Sequence, residues 1–166
     1  MTKKVYLSGG TVSDWQDRIM EHLLAEPVEF YNPKNFKLGP MVAPEIRIFG
    51  PMDMNKIKEC DILFAYLEKT NPTPVNIALE LGYAKGLGKI TVLCNEWTPE
   101  AYEIKELKTM ATTDPNVQAT WFKPHYVDLL NQWADFFEPD FGIAVELLKR
   151  LITYDGEKQP TPGSNP

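Results

Sequence analysis

Asp61-Ile62-Leu63-Phe64-Ala65-Tyr66-Leu67 runs apolar at every position after its leading aspartate. A run with no polar face reads as a central strand of a parallel sheet, covered on both sides. The turn Asn71-Pro72-Thr73-Pro74 follows, in which Thr73 can cap a helix and Pro74 suits the first helical position. The helix runs from Val75 to about Gly86 and closes at Gly88, and Ile90-Thr91-Val92-Leu93-Cys94 is the next strand. Upstream, Val5-Tyr6-Leu7-Ser8 is a first strand that stops at Gly9-Gly10. Ser13 or Asp14 can cap the helix that carries Trp15, Ile19, Leu23 and Leu24 up to Pro27. Val28-Glu29-Phe30-Tyr31 is a second strand, closed by Asn32-Pro33.

The remaining segments are less periodic. Lys34 to Pro44 reads as a loop of functional length and a candidate lid. Pro44 to Cys60 reads as a helix broken at Gly50-Pro51. Helices are expected over 100–110, 127–137 and 143–152, with a short fifth strand at 119–122 and a disordered tail over 156–166. Strands alternating with helices imply an α/β fold with a mostly parallel sheet. Ligands in such sheets bind beyond the carboxyl ends of the strands, so the segments to search are 8–13, 31–35, 67–80 and 95–97.

The chain has 166 residues, which sets a prior of one domain, here 1–155. A net charge of −6 argues against nucleic acid or an anionic membrane as partner. No apolar run approaches the roughly 18 residues a membrane span needs, and no signal peptide opens the chain. The two cysteines, Cys60 and Cys94, stand apart and read as packing thiols of a reducing compartment. The expected location is cytoplasmic.

The chemistry concentrates on one helix. Val75 to Leu87 is apolar nearly all round and is expected to be largely buried, yet it carries Glu80. Asn76 and Ala84, four residues either side, cannot pair with Glu80 as ions, and Lys85 projects about 140° away around the axis. A buried carboxylate without a local partner is costly, and its raised pKa would mark a functional site. The alternative is that Glu80 meets an arginine or a backbone amide from elsewhere. By pattern alone, Asp53 sits near Lys56, Lys58 and Glu59 and reads as surface, while Tyr6 reads as core. Ser8-Gly9-Gly10 could approach a ligand through its backbone but lacks the third glycine of a dinucleotide fingerprint.

Other chemistries find little support. His22 and His125 stand alone, without a cluster for zinc, so no metal and no cofactor is expected. No GxSxG is present. Gly86-Leu87-Gly88-Lys89 lies between a helix and the following strand, the wrong order for a phosphate loop.

Three motifs share an order with one known family. Ala78-Leu79-Glu80-Leu81-Gly82-Tyr83-Ala84 behind Cys60-Asp61-Ile62 resembles the signature of the nucleoside 2-deoxyribosyltransferases. Asp53-Met54-Asn55-Lys56-Ile57 is similar to their Asp-bearing helix, and Val5 to Gly10 with Asp14 and Gln16 to their first strand and substrate loop. The resemblance covers residues 3 to about 95. It implies a flavodoxin-like (Rossmann-like) three-layer fold on a five-stranded parallel sheet. It also implies that Glu80 attacks the anomeric carbon, that Tyr6 orients Glu80, and that Asp53 assists proton transfer to the leaving base. Ser8, Gly9, Gly10 and Asp14 would line the substrate, and Asn76 would supply part of the contact to the base. Many members carry an acidic residue or Ser and then Gly where this chain has Thr73-Pro74-Val75-Asn76, and Thr11 or Val12 stands where some carry a base-stacking aromatic. Partners would be a deoxynucleoside, a free nucleobase and further copies of the chain, as a dimer or trimer of dimers.

Three readings follow: transfer of deoxyribose between bases, hydrolysis of a deoxynucleoside 5′-monophosphate by a related N-glycosidase, and a nucleotide-binding module without catalysis. The first loop offers Ser8, Thr11 and Ser13 but no arginine before Arg18, which favours a nucleoside over a monophosphate.

Overall fold

The computed structural model describes residues 1–11, 13–35, 52–69, 74–96 and 130–154. Five parallel strands form one sheet in the order β2-β1-β3-β4-β5. They are β1 (Lys3–Gly9), β2 (Val28–Tyr31), β3 (Ile62–Leu67), β4 (Ile90–Asn95) and β5 (Phe136–Glu138). The helices are α1 (Trp15–His22), α2 (52–59), α3 (Pro74–Gly86) and α4 (Phe141–Thr153). This is the flavodoxin-like order, whose direction of winding reverses between β1 and β3.

The apolar run that defines β3 is buried at all six positions, as a strand flanked on both faces must be. Alternation along the strands divides the core in two. Val5, Leu7, Phe64, Tyr66, Val92 and Cys94 pack with Trp15 and Ile19 of α1 and with Ala144, Leu148 and Ile152 of α4. Tyr6, Leu63, Ala65, Leu67 and Leu93 pack with Ile57 of α2 and with Ile77, Leu81 and Ala84 of α3. Cys60 and Cys94 are buried free thiols, one on each side.

α3 buries one face rather than its whole circumference. Ile77, Leu81 and Ala84 recur at helical spacing against the sheet, while Leu79 is 62% exposed. Its apolar composition overstated its burial, because the helix forms an outer layer of the sandwich.

The strand beside β4 falls in a stretch read as helix. It is Phe136–Glu138, which overlaps the end of the stretch read as helix over 127–137, of which 130–133 is helical among the described residues. Asp135 explains the change of course. Its carboxylate accepts from Thr91 N at 2.9 Å and Thr91 Oγ1 at 2.8 Å, while its own N–H reaches Thr91 O at 3.1 Å. Lys85 completes the clasp on the other carboxylate oxygen. The following residues then pair Val92 with Phe136 and Cys94 with Glu138. α4 is capped by Asp140, whose carboxylate accepts from Ile143 N at 2.9 Å.

The break at 50–51, most of the 34–44 loop, the helix over 100–110, the strand at 119–122 and the tail over 156–166 lie outside the described residues. Among the described residues no helix is long and apolar enough to cross a membrane.

Candidate active site

The reversal between β1 and β3 opens the sheet at the carboxyl end of β1, and the α3 side of that opening holds the site. Side chains alternate along β1, so Tyr6 and Ser8 share the face opposite Val5 and Leu7. On α3, Glu80 lies within about 60° of Ile77 and 40° of Ala84 around the axis, on the buried side. The two elements meet there. Ser8 Oγ donates to Glu80 Oε2 at 2.6 Å, and Tyr6 OH donates to Glu80 Oε1 at 3.2 Å.

Two further groups close the cluster. Tyr31 ends β2, where the parallel register sets it beside Tyr6. Their rings stack with centroids 5.2 Å apart and planes 17° from parallel. Asp53 projects from α2, one helical turn before the buried Ile57, and its carboxyl lies within electrostatic reach of the Tyr6 and Tyr31 hydroxyls. Its Oδ1 is buried and has no hydrogen-bond partner among the described residues. The resulting chain runs Ser8, Glu80, Tyr6, Asp53, Tyr31. The fold thus brings two carboxyls to one phenol, across 47 positions of sequence from Tyr6 to Asp53 and 74 from Tyr6 to Glu80.

The electrostatics follow from this crowding. Burial pushes the Glu80 carboxyl up to about 7; the Ser8 bond opposes the rise, the Asp53 charge adds to it, and the Tyr6 bond opposes it. Asp53 is also raised, by burial first, with the bonds from Tyr6 and Tyr31 holding it down. Burial raises the Tyr6 hydroxyl far above the ordinary phenol range, with Glu80 and Asp53 adding to the effect. Tyr6 is therefore a donor that keeps its proton. No ion pair reaches Glu80 among the described residues, and Lys85 is committed to Asp135. A carboxylate poised near neutrality, held by two hydroxyls and faced by a second carboxyl, can act as a nucleophile or base beside a proton donor.

The other expected site residues are placed differently. Gly9 has φ +154, and a Cβ there would stand 2.8 Å from both Trp15 Cζ2 and Tyr66 O. The Gly10 carbonyl accepts from Trp15 Nε1 and Gln16 Nε2, both at 2.8 Å, and so braces the loop onto α1. Asp14 is exposed at the N-cap of α1 and makes no side-chain capping bond. Asn76 is exposed one turn before Glu80. Neither Asp14 nor Asn76 joins the cluster among the described residues. Tyr31 was not among the expected site residues, although its position at the end of the strand beside β1 was a usable signal. Arg18 lies 4.8 Å over the Phe141 ring. No group of three or more His, Cys, Asp or Glu residues among the described residues could hold a metal ion.

A model of the family described as nucleoside 2-deoxyribosyltransferase like matches residues 2–97. No curated protein sequence matches the chain. Among solved structures, a conserved protein from Enterococcus faecalis V583 is 17% identical with a TM-score of 0.59, covering 91% of this chain and 99% of its own. A 2-deoxyribosyltransferase from Bacillus psychrosaccharolyticus is 16% identical with a TM-score of 0.56, covering 92% and 93%. A CMP N-glycosidase from Clostridium botulinum is 15% identical with a TM-score of 0.51, covering 88% and 98%. At these identities the likeness is one of fold.

Proposed function

Since the chain belongs to the nucleoside 2-deoxyribosyltransferase-like family, we propose that it cleaves the N-glycosidic bond of a 2′-deoxynucleoside and passes the sugar to another nucleobase. The observation that carries this reading is Glu80, buried enough to sit near pKa 7 and held by Ser8 and Tyr6.

In the first step a Glu80 carboxylate oxygen forms a bond to the anomeric carbon. The carbon–nitrogen bond breaks, its electron pair goes to the base, and Asp53 supplies the proton that makes the base a stable leaving group. In the second step a ring nitrogen of the incoming base attacks the same carbon. The ester bond breaks, Glu80 is regenerated, and the proton of the incoming base returns to Asp53. Two displacements through a carboxylate nucleophile retain the configuration at the anomeric carbon, as in retaining glycosidases. Without a 2′-hydroxyl, the electron-poor anomeric centre forms more easily, which fits a deoxyribose substrate.

The test is incubation with a deoxynucleoside, with and without a second base, alongside the corresponding 5′-monophosphate. New nucleoside that appears only with the second base supports transfer. Free base released without an acceptor, and faster from the monophosphate, would replace transfer by hydrolysis. No turnover of any of them would leave a binding module.

A further inference from the structure

Tyr31 touches both halves of the cluster. Its ring lies flat against Tyr6, with centroids 5.2 Å apart, and its buried hydroxyl lies near enough to Asp53 for each to shift the other's ionisation. Lys56, one turn along α2 from Asp53, places its ammonium 5.8 Å from the centroid of the Tyr31 ring. The groups facing Asp53 are therefore Tyr6 from β1, Tyr31 from β2 and the Glu80 charge from α3. Tyr6 has a single hydroxyl proton, and Glu80 lies within its reach. Asp53 therefore shares the Tyr6 proton with Glu80, and the Tyr31 hydroxyl is the neighbour that can serve Asp53 alone.

We propose that Tyr31 is a positioning residue of this site, its ring fixing Tyr6 against Glu80 and its hydroxyl fixing Asp53. This rests on the reaction proposed above. Burial pushes the Tyr31 hydroxyl up to about 12, so it stays a donor throughout the range in which the carboxyls titrate. The stack explains why an aromatic is used at this strand end, where a serine could supply a hydroxyl but no wall behind Tyr6.

The test compares Tyr31→Phe with Tyr31→Leu. Phenylalanine keeps the stack and removes one bond to a charged group, so kcat should fall about tenfold with KM little changed. The alkaline limb of the pH profile should move upward, because Asp53 without that donor holds its proton more tightly. Leucine should lose more, with phenylalanine recovering part of the difference. Carboxyl-carbon NMR titration of Asp53 gives a reading that needs no turnover: Tyr31→Phe should raise its midpoint. An unchanged Asp53 titration, or equal defects in the two variants with no movement of the pH profile, would overturn the proposal. Absence of turnover in the unaltered protein would instead remove the reaction, and the titration would still decide the role of Tyr31.

Discussion

Ser8 Oγ stands 2.6 Å from Glu80 Oε2, joining the end of the first strand to the middle of α3 across 72 residues of sequence. The bond favours the charged form of Glu80 and so works against the burial that pushes its carboxyl up to about 7. The nucleophile must be ionised, so turnover should fall as the pH drops below about 7. Ser8→Ala removes a stabiliser of the carboxylate and should move that acid limb upward by about one pH unit. An acid limb that stays in place would remove Ser8 from the account.

The same burial makes Glu80 a liability to the fold. Its carboxyl is raised from 4.5 to about 7, so between those values the folded chain binds more protons than the unfolded one. Stability therefore falls as pH rises through that window, is lowest above it, and is unaffected below about 4.5. Glu80→Gln should lose activity while its melting temperature, relative to the unaltered protein, improves from pH 4.5 to pH 8. Calorimetry at the two pH values checks this, and a difference that is constant or shrinks with pH contradicts it.

Gly9 makes the approach of β1 to α1 possible. A methyl there meets the Trp15 ring and the Tyr66 carbonyl at 2.8 Å each, with the backbone at φ +154. Gly9→Ala should destabilise the protein by on the order of 2 kcal/mol in denaturant unfolding. A value near zero would mean that the loop relaxes freely.

The sheet was legible because β3 is an unbroken apolar run and β1 and β4 each hold a short, mostly apolar stretch, patterns that need no help from distant residues. Glu80 was legible for a related reason: one charge on an apolar helix has few places to go. Asp53 was misread from its neighbours. Lys56 and Glu59 pair with each other on the outer side of α2 at 2.9 Å, while Asp53 shares the face of Ile57, four residues on, and turns inward. β5 could not be read locally, since its start is set by the bond between Asp135 and Thr91, 44 residues apart. Tyr31 required the register of two strands, which places it beside Tyr6.

The most direct measurement is the rate at which Glu80→Ala releases or transfers base from a deoxynucleoside, taken on protein whose circular dichroism matches the unaltered chain. A loss of at least about a thousandfold is expected, as when a covalent nucleophile is removed. A variant that works within tenfold of the unaltered protein would place the chemistry on another group.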